Sequence, residues 1–167
     1  MRHLALAAVA AVAMTAVVLA DDGEEKVPLD KLPKAVLTAV KTRFPKAEAK
    51  EASSEKADGK TVYEVTLKED GKNIDVTLTP EGTITLIEKE VAFKDLPKAV
   101  AETFDKKYPK ATYKIIEEVI KVANGKETLE YYEALLTTAD KKMFEVEVLP
   151  DGKFKGETEK KEEKKDK

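Results

Sequence analysis

The segment Leu32-Pro33-Lys34-Ala35-Val36 returns 64 residues later as Leu96-Pro97-Lys98-Ala99-Val100. At the same offset, Phe44-Pro45-Lys46-Ala47 returns as Tyr108-Pro109-Lys110-Ala111. Two separate matches at one offset mark a duplicated unit, and duplication restricts the chain to architectures built from two similar halves. Leu32, Val36, Val40 and Phe44 recur every four residues, as do Leu96, Val100, Phe104 and Tyr108. That spacing lays one apolar stripe along each of two helices. Pro33 fits a first helical turn, where its missing N–H leaves no bond unmade, and Pro45 stops the helix. The first helix is expected over about Asp30 to Arg43, with Asp30 as its N-cap; Asp95 has the same role in the second copy.

Strands follow each helix. A weak one is expected from Lys46 to Ser54. Thr61 to Lys68 then alternates, with Tyr63, Val65 and Leu67 on one face and Glu64, Thr66 and Lys68 on the other. Asn73 to Thr79 alternates again, and Thr83 to Val91 closes the first unit. Asp58-Gly59 and Asp70-Gly71 are hairpin signals, and Pro80-Glu81-Gly82 is a third turn. A period of two over consecutive runs joined by short turns reads as an antiparallel meander. In the second copy, strands are expected near Ala111 to Val122, Glu127 to Thr138, Lys142 to Leu149 and Lys153 to Lys155. The fold class is therefore α+β: two tandem units, each a helix plus a four-stranded antiparallel sheet. Their expected limits are residues 27–90 and 91–155.

Residues 1–20 look like an export signal: Met1-Arg2-His3 is positive, Leu4 to Leu19 is apolar apart from Thr15, and Val18-Leu19-Ala20 supplies the small residues of a cleavage site. The apolar run is shorter than the roughly 20 residues that span a bilayer, so no membrane span is expected after cleavage. Residues 21–26 read as an acidic linker. Residues 156–167 read as a disordered, solvated tail, since Glu157 to Lys167 contains no apolar residue. The location implied is periplasmic or secreted.

Lys and Arg total 30 against 33 Asp and Glu, interleaved without a basic block, which argues against a nucleic-acid partner. Cys and Trp are absent and the single His, His3, lies in the signal. A Ser-His-Asp arrangement, a thiol nucleophile and the usual zinc, copper or haem ligands are thereby excluded from the exported chain. No Gly-rich phosphate loop occurs. Asp70-Gly71-Lys72-Asn73-Ile74-Asp75 lacks the remaining ligands of a calcium loop and reads as a hairpin. No catalytic residue, metal ligand or cofactor site is expected, and the protein is read as not an enzyme. Glu64, Asp75, Glu145 and Glu147 fall on outward strand faces, where cross-strand pairing is the ordinary reason for a charge. Tyr63 and Tyr132 take equivalent inward positions and read as core.

The repeats differ outwardly. Aligning Tyr63-Glu64 with Tyr132-Glu133, and Pro80 with Pro150, sets Val62, Thr66 and Asn73 against Tyr131, Leu135 and Met143. Ile116 and Ile120 are placed on the outward phase of their strand. Tyr131, Leu135, Met143, Ile116 and Ile120 thus form an expected partner-binding patch, because contiguous exposed apolar surface marks such sites. The alternative is that they pack against the other repeat or the linker.

Leu-Pro-x-Ala-Val, Phe/Tyr-Pro-x-Ala, a Tyr-Glu-centred strand and Pro-Glu/Asp-Gly before a closing strand together resemble the PepSY-like family. Here the set reads Leu32-Pro33 to Ala47, Thr61-Val62-Tyr63-Glu64-Val65, Asp75-Val76 and Pro80-Glu81-Gly82. The second copy keeps Leu96-Pro97 to Ala111, Tyr132-Glu133 and Pro150-Asp151-Gly152. The resemblance implies the fold of the beta-lactamase inhibitor protein, tandem helix-plus-sheet units whose sheet can present a concave surface. It also implies an exported bacterial protein without an assigned enzyme activity; PepSY domains occur beside peptidases, where inhibition or regulation has been suggested. It transfers no catalytic residue. The function expected is a non-catalytic binding module, acting as an inhibitor or regulator of an envelope peptidase or other enzyme, with an envelope protein as partner. The alternative is an envelope protein that binds a small ligand or cation through outward carboxylates.

Overall fold

The structure is a computed structural model and describes residues 25–160. The expected signal at residues 1–20 lies outside the described residues. The elements in chain order are β1 (Glu25–Lys26), α1 (Lys34–Arg43), β2 (Glu48–Ala57), β3 (Lys60–Glu69), β4 (Lys72–Leu78), β5 (Ile84–Glu90), α2 (Lys98–Lys107), β6 (Thr112–Ala123), β7 (Lys126–Thr137), β8 (Met143–Val148) and β9 (Phe154–Lys160). Short 3-10 turns at Leu29–Lys31 and Phe93–Asp95 lead into the helices. Among the described residues no helix is long and apolar enough to cross a membrane.

All nine strands form one antiparallel sheet in chain order. The halves meet where β5 pairs with β6, from Leu86 opposite Lys121 to Glu90 opposite Glu117. Both helices lie on the same face of this sheet. Leu32, Val36, Val40 and Phe44 pack with Val65, Leu67, Val76, Leu78 and Ile87. Leu96, Val100, Phe104 and Tyr108 pack with Tyr132, Leu136, Val146 and Val148. The four-residue stripes are therefore the core, and Leu129 touches both clusters. One further link joins the halves. Arg43 at the end of α1 donates from Nε and Nη2 to Glu127 Oε1 of β7 at 2.9 and 2.7 Å. Both side chains are well exposed, so Arg43→Ala should cost less than about 1 kcal/mol in a denaturant titration. A larger loss would make this contact a structural bolt between the halves.

The helices begin later than expected. Pro33 and Pro97 stand at the N-cap positions with extended backbone, and no side chain caps either helix. Asp30 and Asp95 fall in the preceding 3-10 turns instead. The reason is the Leu-Pro pair: proline disfavours helical backbone at the residue before it, so a helix cannot run through Leu32 or Leu96. The same rule ends the helices, since Phe44 and Tyr108 precede prolines and leave the helical region at φ −127° and −126°. Asp58-Gly59, Asp70-Gly71 and Asn124-Gly125 each take positive φ at both residues, as tight hairpins require. Residues 156–160, expected in the disordered tail, belong to β9 and pair with β8. Backbone pairing outweighs their polar composition there. Residues 161–167 lie outside the described part, and of the expected linker, Glu25 and Lys26 form β1.

Bulges repeat along with the helices. Lys50 is an extra residue between the pairs Ala49–Leu67 and Glu51–Thr66, and Lys114 is an extra residue between Tyr113–Leu136 and Ile115–Leu135. The two lysines are 64 residues apart, the same offset as the helical segments. Thr85 in β5 and Lys155 in β9 are also bulge residues, 70 residues apart, the offset of Pro80 and Pro150.

Candidate functional site

The helices cover one face of the sheet; among the described residues no helix lies on the other. Side chains on that open face come from alternate positions, so register decides which of them meet. Asp75 of β4 stands opposite Glu88 of β5. One step along the strands, Glu90 faces Glu117, Glu117 faces Glu133, and Glu133 faces Glu147. Four glutamates thus form an unbroken row across β5, β6, β7 and β8. Like charges directly opposite each other on neighbouring strands are destabilising, so this row strains the sheet whenever it is fully ionised.

Compensation is one-sided. Lys155 and Lys160, both on β9, pair with Glu147 at 2.5 Å and Glu145 at 2.7 Å. Asp75 accepts a 2.6 Å bond from the Thr66 hydroxyl, and Glu90 accepts the Asn73 N–H at 3.0 Å. Among the described residues, no ion pair involves Glu88, Glu117 or Glu133. Burial, reinforced by the Glu117 charge, pushes Glu88 up to about 7. Burial and Asp75 push Glu117 up to about 7, and burial and Glu145 push Glu133 up to about 8. Asp75 is raised as well, by burial against the opposing effect of its Thr66 bond. Burial and the surrounding acids thus favour the protonated form of Glu117 and Glu133.

Beside the row lies an apolar strip. Tyr131 and Leu135 of β7 and Met143 of β8 are half-buried on the open face, as expected for that phase. The Lys155 ammonium sits 3.9 Å from the centre of the Tyr131 ring. Burial first, then Glu147, raises the Tyr131 phenol, which stays neutral. Lys114 Nζ lies 3.1 Å from Met143 Sδ.

Ile116 and Ile120 are not part of this strip. Ile116 packs in the α2 core and Ile120 in the α1 core, at 3% and 8% exposure. The Lys114 bulge is the cause. The extra residue reverses the phase of β6, so Tyr113 and Ile116 both face the helices although they are three apart. Ile115, opposite Leu135, and Val119, opposite Tyr131, take the open face instead. Val119 is only 1% exposed there, sealed by its neighbours' side chains. Strict alternation missed these two residues. It also missed Glu88, Glu90 and Glu117, because only strand register brings them into line with Glu133. The equal offset of Lys50 and Lys114 is the one sequence signal that carried the bulge. Among the described residues no group of three or more carboxylates is arranged to hold a metal ion.

Two helices on one side of a continuous antiparallel meander, with no helix among the described residues on the other, define a tandem helix-on-sheet α+β protein. The "Putative beta-lactamase-inhibitor-like, PepSY-like" family model matches the chain twice, over residues 20–86 and 82–156. The chain belongs to this PepSY-like family. Its fold is similar to that of a putative periplasmic protein of Bacteroides eggerthii, at 14% identity and TM-score 0.63 over 76% of this chain and 88% of that one. A DUF2874 family protein of Bacteroides uniformis matches at 14% identity and TM-score 0.61, over 76% and 88% of the two chains. A BLIP-like protein of Bacteroides fragilis matches at 17% identity and TM-score 0.57, over 75% and 84%. No curated protein matches the chain. The sequence places the protein in the periplasm or outside the cell, and the first of these neighbours is itself a putative periplasmic protein.

Proposed function

We propose that this protein is a non-catalytic module of the bacterial envelope that docks a protein partner on the open sheet face. Its expected role is inhibition or regulation of an envelope peptidase or another envelope enzyme. The partner segment presents Lys or Arg beside apolar side chains. The observation that carries this reading is the pairing of the Tyr131–Leu135–Met143 strip with an acidic row that the lysines of β9 only partly neutralise. An apolar centre supplies contact energy while the flanking charge selects and orients the partner.

A ten-residue peptide alternating Lys and Leu tests the chemistry, with a Glu/Leu peptide as control, both titrated by calorimetry. The Lys/Leu peptide is expected to bind and the control to fail. Tyr131→Ala with Leu135→Ala should weaken binding at least tenfold, about 1.4 kcal/mol, while the melting temperature holds. A lowered melting temperature with unchanged binding would instead make these side chains packing residues. Stabilisation by calcium without peptide binding would move the reading to a cation-binding protein.

A further inference from the structure

We propose that the glutamate row Glu90–Glu117–Glu133–Glu147 is a proton-operated control of the open face. This deepens the docking reading above, yet its first test is independent of any partner. The geometry carries it. Strand pairing sets the Cα of each glutamate opposite that of the next, so successive carboxylates project from neighbouring positions on one face. Neighbouring carboxylates on one half-buried face raise the cost of ionising one another, so a proton on one eases ionisation of the next.

The surroundings of the row reinforce the effect. Glu133 is flanked by Glu117 on β6 and by Glu147 and Glu145 on β8, with Glu88 across β6 on β5. Lys160 of β9 is the counter-charge that acts on Glu133, and it is already paired with Glu145. Glu117 feels Asp75 of β4 and Glu64 of β3 in addition to Glu90 and Glu133. Lys155 of β9 is held by Glu147 and the Tyr131 ring. Bases that share this face are Lys68 of β3, Lys114 and Lys121 of β6, and Lys155 and Lys160 of β9; beside the row, β4, β5, β7 and β8 add only acids to it. Val119, sealed at the centre of the face, adds an apolar neighbour to the half-buried glutamates.

The sign follows from linkage. Carboxyls that bind protons more tightly in the folded chain than in the unfolded one favour folding at low pH. Their contribution is fully present below the ordinary glutamate value of 4.5 and is lost as pH rises through about 7 to 8. Each extra proton held by the folded chain makes the folding constant fall about tenfold per pH unit across that window.

The experiment is a denaturant titration of the exported chain at half-unit steps from pH 5 to 9. The wild type is expected to lose at least tenfold in folding constant between pH 6 and 8. Glu133→Gln should flatten that slope and be the more stable protein at pH 9. Glu102→Gln, on the exposed side of α2, should keep the wild-type slope. A flat or rising profile overturns the proposal, as does a slope that Glu133→Gln leaves untouched. The Lys/Leu peptide then separates the two readings. Affinity that rises about tenfold from pH 6 to 8.5 in the wild type and is flattened in Glu133→Gln supports control of docking. A correct stability slope with no peptide bound upholds the proton-holding row and removes the docking reading. Binding that is indifferent to pH keeps docking and overturns the control.

Discussion

Val100→Asp is expected to abolish folding of the second half of the sheet. Val100 is fully buried, at 0% exposure, between Leu96 and Phe104 on the inner stripe of α2. The substitution first removes an anchor worth roughly 1.5–3 kcal/mol of burial. It then forces a carboxylate into the apolar cluster that includes Val146, Val148 and Leu136. Burying an unpaired charge costs several kcal/mol more, or the group takes up a proton and still leaves its hydrogen bonds unmade. Together these match the whole stability of a typical domain, about 5–15 kcal/mol. Circular dichroism and thermal melting should show loss of the cooperative transition, and Val36→Asp should do the same for the first half. A Val100→Asp protein with the wild-type melting curve would remove α2 from the core.

Gly82→Ala is expected to cost far more than Gly59→Ala, although both glycines have positive φ, +83° and +75°. Nothing lies within 4 Å of a Cβ added at Gly59, so that variant bears only backbone strain, about 1–2 kcal/mol. At Gly82 the new methyl would sit 2.6 Å from the Ala35 carbonyl oxygen, a backbone atom of α1. Relief requires the helix to move off the sheet. Gly152 approaches Ala99 in the same way, with contacts at 2.7 Å. Thr103 Oγ1 secures that second turn by donating to the Gly152 carbonyl at 2.6 Å. Denaturant midpoints for Gly59→Ala, Gly82→Ala and Gly152→Ala measure the difference directly. Equal losses at all three positions would show that the close approach has no energetic weight.

This contact explains why the duplicated segments were legible. Ala35 and Ala99 must be small because a glycine turn lies against the helix there, so the alanine and the Pro-Glu/Asp-Gly turn recur together. The four-residue stripe, the tight turns and the alternating strands were equally readable, since each follows from local geometry. The helix starts were misread for a local reason too: Asp30 and Asp95 look like caps, but the proline two or three residues on delays the helix.

The site was legible only in part. Tyr131, Leu135 and Met143 kept their outward phase because no bulge intervenes between them and the residues used to set it. Ile116 and Ile120 did not, because one added residue at Lys114 turns the rest of β6 over. Composition showed many acids in strands but no order among them.

What the amino-acid sequence determined by itself was the duplicated helix-and-meander unit, its core stripes and its hairpins. All depend on residues close together in the chain. Only the tertiary structure decided that the two units share one sheet through β5 and β6, and that Glu90, Glu117, Glu133 and Glu147 stand side by side. Pairing register between distant strands is set by how the two cores and their bulges fit together. A one-residue shift reverses every side chain on a strand, so that fit cannot be read from any single segment.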